Sequence, residues 1–93
     1  MVYDLGNMTY CGYDVVGDLE YFIDLIRLAH VKDKNKYGNN VRLGAGDVDF
    51  LNIMKCLDNK KYKGGYTLET ARGNDALAEA AINISYFKKM LVR

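Results

Sequence analysis

The sequence of 93 residues contains no proline, one histidine and two cysteines. Because neither proline nor a low-complexity segment interrupts it, nothing marks an internal linker, and a chain of this length forms one small domain at most. Cys11 and Cys56 stand alone, without CxxC spacing. We therefore expect two reduced thiols in a cytoplasmic protein rather than a disulfide.

An excess of charge of one sign and long apolar runs are also missing. The chain carries 13 lysine and arginine residues against 12 aspartate and glutamate residues, a net charge of +1. No apolar run approaches the ~20 residues of a membrane span, and the opening MVYDLGN lacks the pattern of a signal peptide. Neither a nucleic acid nor a membrane is therefore expected as a partner.

Three short apolar stretches alternate with three longer amphipathic segments. The strand candidates are residues 1–5, 28–31 and 65–69. The segments between and after them carry apolar residues at spacings of three and four, as one face of a helix requires. These stripes are Leu19, Phe22, Ile23 and Ile26; Phe50, Ile53, Met54 and Leu57; and Leu77, Ala81, Ile84, Phe87 and Leu91. Asp18 is predicted to cap the first helix and either Asp47 or Asp49 the second, since an aspartate can accept a backbone N–H of the first turn.

The resulting order is β-α-β-α-β-α, with the last helix over about 75–91. Helices between consecutive strands predict parallel pairing, because a parallel strand needs a crossover connection. The predicted fold class is therefore α/β, with three consecutive β-α units. Irregular connections are predicted over 6–17 and 32–46, after the first two strands. Three strands leave two open sheet edges, which indicates a part of something larger.

On one face of each predicted strand, the residue nearest the carboxyl end is ionisable: Asp4, His30 and Glu69. Alternation along a strand places these three on the side opposite the helix-facing residues, at the carboxyl ends where parallel α/β proteins collect ligands. An oxygen, nitrogen and oxygen donor set suits Mn²⁺, Mg²⁺, Co²⁺ or Zn²⁺. The alternative is structural: a hydrogen-bonded histidine, an aspartate that forms a turn and a glutamate in a loop.

Four motifs, in order along the chain, resemble one known family. VYDLGN, AHVKD, LGAGDVDF and KGGYTLE are similar to segments of the sugar-phosphate isomerase/epimerase group. That group shares a TIM-barrel superfamily with xylose isomerase and the apurinic endonucleases. The resemblance implies that residues 1–93 form a single partial barrel segment, equivalent to the last three β-α units of eight.

The resemblance also implies roles for the residues at the strand ends. The family holds a divalent metal with two glutamates, an aspartate and a histidine, and Asp4, His30 and Glu69 match three of these by position. Glu69 is also similar to the glutamate that moves a proton at the sugar carbon. The second glutamate belongs to strands that this sequence lacks, and a complete barrel needs ~250 residues. We therefore expect weak metal binding and no activity from the chain alone.

Three further residues are candidates for substrate contacts. The resemblance places Asn7, in the DLGN turn, and Asp33 beside the substrate. Lys32 is the third candidate, because loops after the last strands of such barrels often bind phosphate. For the turn 43–47, two interpretations stay open: Gly44 and Gly46 present backbone N–H groups to a phosphate, or the loop is simply solvated.

Three functions compete at this point. The first is a C-terminal segment of a metal-dependent sugar or sugar-phosphate isomerase or epimerase, which acts by proton transfer through an enediolate. The second is a non-catalytic partial barrel that covers its open edges by forming a homo-oligomer or by binding a missing N-terminal barrel portion. The third, an endonuclease related to the apurinic enzymes, is disfavoured by the single histidine and the near-neutral charge.

Overall fold

Strands and helices alternate along the chain, of which the computed structural model describes residues 1–69 and 76–91. The strands are β1 (Val2–Asp4), β2 (Leu28–Val31), β3 (Asp33–Lys34), β4 (Asn40–Val41) and β5 (Gly65–Leu68). The helices are α1 (Leu5–Tyr10), α2 (Val15–Phe22), α3 (Phe50–Asn59) and α4 (Ala76–Leu91), with a 3-10 turn over Ile23–Leu25. No helix in the described ranges is both long and apolar enough to cross a membrane.

One parallel sheet contains β1, β2 and β5, with β2 in the middle. Asp4 is the register partner of His30, which in turn pairs with Thr67. Helical crossovers make this pairing possible, since α1 and α2 connect β1 to β2 while α3 lies between β2 and β5. The predicted α/β fold with three parallel strands is confirmed. The remaining strands, β3 and β4, form a small antiparallel ribbon within the connection that the sequence predicts as irregular.

Each of the first two sheet strands buries one face and leaves the other open. Tyr3 is 5% exposed, and Ala29 and Val31 are fully buried against the helices. Val2, on the opposite side of β1, is 56% exposed. This burial fixes the register, because a shift by one residue would turn every apolar side chain outward. Side chains that alternate with the buried set, among them Asp4 and His30, therefore lie on the open face.

The first connection differs from the prediction in two ways. Helix α1 begins at Leu5, the last residue of the predicted strand, and runs to Tyr10 through residues predicted as irregular, and α2 begins at Val15, earlier than predicted. The cap of α2 is Asp14, whose side chain accepts the backbone N–H of Gly17 at 3.1 Å. The predicted cap, Asp18, is wrong because its carboxylate accepts a hydrogen bond from the Tyr3 hydroxyl at 2.7 Å. Asp18 thus ties α2 to the buried face of β1.

The next helix follows its predicted pattern. The side chain of Asp49, one of the two predicted caps, accepts the backbone N–H of Asn52 at 3.3 Å. All four residues of the predicted stripe are buried: Phe50, Ile53, Met54 and Leu57. The amphipathic spacing therefore identifies both the start and the buried face of α3.

Of the five residues predicted for the buried face of α4, Phe87 alone is buried. Leu77 is 84% exposed, and Ile84 and Leu91 are 45% and 47% exposed, whereas Asn83 is fully buried and Phe87 nearly so. Asn83 is inside because its Oδ1 accepts the N–H of Leu43 at 2.9 Å. A polar side chain at the centre of the contact turns the apolar stripe away from the core.

Candidate metal centre

Asp4 ends β1 and also caps α1. Its Oδ1 accepts the backbone N–H of Asn7 at 2.8 Å, and its Oδ2 accepts the Asn7 side-chain amide at 3.1 Å. The strand leads directly into the helix, so both Asp4 oxygens are oriented by the first helical turn. Asn7 thus lies in the site as a partner of Asp4, and its contact with substrate stays a prediction.

His30 and Glu69 complete the cluster: His30 is on β2, which pairs with β1, and Glu69 follows β5, on the other side of β2. Nδ1 of His30 contacts Oε1 of Glu69 and lies 3.9 Å from Oδ2 of Asp4. Glu69 is held because its backbone N–H donates to the carbonyl of Val31 at 2.9 Å, which extends the pairing of β5 with β2. Potential ligand atoms of Asp4, His30 and Glu69 all lie within 4.8 Å of one another. The structure brings the three residues together as the sequence predicts.

Lys32 is the fourth member of the cluster. Its Nζ lies 3.2 Å from Oδ2 of Asp4 and 3.0 Å from Oε2 of Glu69, and the residue is 8% exposed. Burial alone would lower the pKa of Lys32, but hydrogen bonds to Glu69 and Asp4 outweigh burial and raise it. Lys32 is therefore an ammonium ion at neutral pH.

Gly6 makes room for Lys32. A Cβ added at Gly6 would overlap the Cγ of Lys32 and lie 2.9 Å from its carbonyl oxygen. Only a residue without a side chain leaves space for the buried stem of the lysine. Neither this packing nor the ion pairs of Lys32 were predicted, although strand alternation places Lys32 on the same side as His30 and could have indicated them.

Asp33 serves the loop rather than the cluster. The residue is 1% exposed, and its carboxylate accepts four backbone N–H groups at 2.9–3.1 Å. The donors are Lys34, Gly44, Gly46 and Val48. Since both oxygens of Asp33 are fully used, the structure does not bring this carboxylate to the strand ends with Asp4.

The same contacts decide between the two interpretations of the turn 43–47. The N–H groups of Gly44 and Gly46 point at Asp33, which already supplies an internal anion. Arg42 pairs with Glu79 through two hydrogen bonds, one of them 3.1 Å from Nε to Oε2. This ion pair lowers the pKa of Glu79 and raises that of Arg42. The N–H groups of Gly44 and Gly46 therefore donate to Asp33 and are not directed at a phosphate.

The cluster fits a divalent cation by its donor chemistry. Two carboxylates and one imidazole, all partly exposed, match the oxygen and nitrogen ligands of Mn²⁺, Mg²⁺, Co²⁺ or Zn²⁺. Asn7 supports Asp4 through hydrogen bonds in the way that outer partners orient metal ligands. The partial exposure leaves access for a substrate from the open face of the sheet.

Curated proteins with related sequences share one part of their length with this chain. No protein-family model matches the sequence of this chain. The putative L-ribulose-5-phosphate 3-epimerase SgbU of Escherichia coli (strain K12) is 34% identical over 73 residues, which cover 71% of this chain and 26% of that protein. The L-ribulose-5-phosphate 3-epimerase UlaE of E. coli (strain ATCC 8739) is 36% identical over 81 residues, 84% of this chain and 28% of that protein. An inosose dehydratase of Clostridium perfringens (strain 13) is 30% identical, and the match covers 84% of this chain and 32% of that protein.

Solved structures show the same fold over nearly the whole chain. An L-ribulose 3-epimerase superposes with a TM-score of 0.78 at 18% identity, covering 97% of this chain and 35% of that one. The sugar phosphate isomerase/epimerase of Parabacteroides distasonis gives a TM-score of 0.72 at 22% identity, with 92% and 29% covered. The three parallel strands and their helices are thus a portion of a TIM barrel.

Together, the sequence matches and the fold place the chain in a family. It belongs to the sugar-phosphate isomerase/epimerase family and corresponds to the C-terminal portion of its members. The chain spans about a quarter to a third of the length of the curated relatives that it matches.

Proposed function

We propose that the chain supplies part of the active site of a metal-dependent sugar or sugar-phosphate isomerase or epimerase. The observation that carries this proposal is the convergence of Asp4, His30 and Glu69 at three neighbouring strand ends. Relatives named L-ribulose-5-phosphate 3-epimerase support a ketose phosphate or a similar sugar as the substrate class. The remaining wall of the site has to come from further strands, because the chain spans only a fraction of these relatives.

Asp4, His30 and Glu69 are the residues that would hold the metal. When bound, a divalent cation supplies Lewis-acid stabilisation of the negative charge that develops on a substrate carbonyl oxygen. The protein contributes the placement of its donors: the helix cap orients Asp4, and the sheet ladder orients Glu69. The partial exposure of all three side chains leaves the sugar a route to them.

Glu69 is the proposed proton carrier. Its carboxylate takes a proton from the carbon next to the carbonyl, the electrons of that C–H bond form the carbon–carbon double bond of an enediolate, and the carbonyl oxygen becomes negative. Protonation of the opposite face of the same carbon, by an acid that the further strands would supply, gives an epimer, whereas return of the proton by Glu69 to the adjacent carbon gives an isomer. Lys32 and Asn7, which lie at the cluster, are the proposed substrate contacts, whereas Asp33 would act on the substrate only by holding the loop whose amides occupy its carboxylate.

Removal of the imidazole is expected to weaken metal binding. In titrations of the chain with Mn²⁺, followed by calorimetry and by the electron paramagnetic resonance of free Mn²⁺, His30→Ala should lose about tenfold or more in affinity. The matched control is Asp24→Ala, which removes an exposed carboxylate from the 3-10 turn that precedes β2, whereas the cluster lies at the carboxyl end of that strand. Equal affinity in His30→Ala and the unaltered chain would exclude His30 as a ligand.

Self-association is a second candidate function, and exposed apolar side chains and open sheet edges favour it. Val2 on β1 and Leu77 on α4 are 56% and 84% exposed, and the outer edges of β1 and β5 have no strand partner among the described residues. Unpaired edges and apolar patches promote association. Light scattering over a range of concentrations should show a dimer or larger species, whereas a monomer at the highest concentration would rule out this function.

A further inference from the structure

Lys32 lies where a metal ion would make its contacts. Its ammonium bridges one oxygen of Asp4 and one oxygen of Glu69, two of the three proposed ligands. The bridge is built into the fold, because Gly6 leaves space for the lysine stem and the residue is almost completely buried. Within the described residues, Lys32 is the cation that the structure records in ion pairs with this cluster.

We propose that Lys32 is a positioning residue that acts as an internal counter-cation, which a divalent metal must displace from Asp4 and Glu69 in order to bind. This inference rests on the proposed function, because it takes both carboxylates to be metal ligands. In this proposal, Lys32 lowers the affinity of the site for metal ions and makes the site prefer divalent over monovalent cations.

Electrostatics gives the direction of the effect. The carboxylates of Asp4 and Glu69 lie close together and repel each other, and the ammonium of Lys32 between them reduces this repulsion. A metal held by the same oxygens would lie beside any ammonium that stayed in place, and like charges at short range repel each other. Lys32 therefore orders the carboxylates in the metal-free site but opposes the metal.

The same competition favours divalent over monovalent cations. A sodium or potassium ion carries one positive charge, as the ammonium does. Replacing the ammonium by such an ion therefore adds little electrostatic stabilisation. A divalent ion brings twice the charge and can replace the lysine. The four-carbon stem of lysine is flexible, which allows Nζ to withdraw without a change of the backbone.

The experiment is a Mn²⁺ titration of the chain and of Lys32→Met, which keeps a long side chain and removes the charge. We expect Lys32→Met to bind Mn²⁺ about tenfold more tightly or better, while its metal-free melting temperature falls. Lys32→Arg, which retains the positive charge, should bind as the unaltered chain does. Lys36→Met is the matched control, since it makes the same change in net charge at an exposed position and should leave the affinity unchanged.

A gain in Mn²⁺ affinity together with a loss of stability identifies Lys32 as a counter-cation. A lysine that only held the structure together would lower both stability and metal affinity when removed. Lys32→Gln retains a hydrogen-bond donor without the charge, is expected to show the same gain, and serves if Lys32→Met does not fold.

Unchanged or weaker Mn²⁺ binding in folded Lys32→Met or Lys32→Gln, with normal binding by the unaltered chain, would overturn this inference alone. Binding that is equally strong in His30→Ala and the unaltered chain counts against the proposed ligand set instead. If neither the unaltered chain nor the lysine variants bind, both proposals fail.

Discussion

Replacing Asp33 by alanine is expected to remove a large part of the stability of the protein. The buried carboxylate accepts four backbone N–H groups from a loop that closes over it. Its loss leaves these donors without a partner, and hydrogen bonds to a charged group contribute about 1.5–3 kcal/mol each, although not additively. We expect a loss of about 3–5 kcal/mol, against a total of roughly 5–14 kcal/mol for a domain of this size.

Urea unfolding followed by circular dichroism measures the total effect, and amide hydrogen exchange locates it. The amides of Gly44, Gly46 and Val48 should lose protection first, because each donates to Asp33. Asp33→Asn tests the charge. Its side-chain NH₂ group would face backbone N–H groups, which cannot accept a hydrogen bond, so we expect a loss of stability nearly as large as in Asp33→Ala. Asp24→Ala, at an exposed position, should change stability by less than about 0.5 kcal/mol. Unaltered protection of these three amides in Asp33→Ala would refute the structural role.

The strand ends illustrate what could be predicted from the sequence. Parallel pairing follows from the alternation of strands and helices, and the period of two places every second side chain on one face. These two rules suffice to bring Asp4, His30 and Glu69 together, because each lies at the carboxyl end of its strand, on the same face of one sheet. The convergence depends on local periodicity and on no detail of the loops.

The role of Asp33 could not be predicted in the same way. Its position beside His30 and Lys32 resembles that of a substrate contact, and its donors lie up to fifteen residues further along the chain. Which N–H groups meet the carboxylate is decided by the closure of the whole loop. The same limit applies to Asn83, where a hydrogen bond from a residue forty positions away selects the buried face of α4.

The loop and the candidate metal centre therefore stabilise their carboxylates in two different ways. Asp33 is a buried carboxylate that backbone N–H groups stabilise through hydrogen bonds, whereas Asp4 and Glu69 share one positive charge, the ammonium of Lys32. The first arrangement is permanent, because backbone donors cannot leave without unfolding the loop. The second can change, because a flexible side chain supplies the charge. Only the second is suited to exchange one cation for another.

Glu69→Gln is expected to have the largest effect on catalysis. The site needs further strands, so we would place the chain in a chimera, where it replaces the 81-residue segment that it matches in UlaE. Solvent deuterium incorporation at C3 of L-ribulose 5-phosphate, followed by NMR, then reports proton transfer. The glutamine cannot accept a proton, and the loss of a general base typically costs about 10²–10⁴-fold in rate. We expect Glu69→Gln to slow the exchange by at least ~100-fold.

Two comparisons separate the base from a structural or ligand role. Glu20→Gln makes the same chemical change on the exposed side of α2 and should leave the exchange unaffected. Glu69→Asp keeps a carboxylate that can bind metal but withdraws it by one carbon, so the exchange should fall while Mn²⁺ stays bound. Exchange that persists in Glu69→Gln would show that another group moves the proton. A folded chimera that binds Mn²⁺ but never exchanges, even with Glu69 present, would show that this segment does not supply the base.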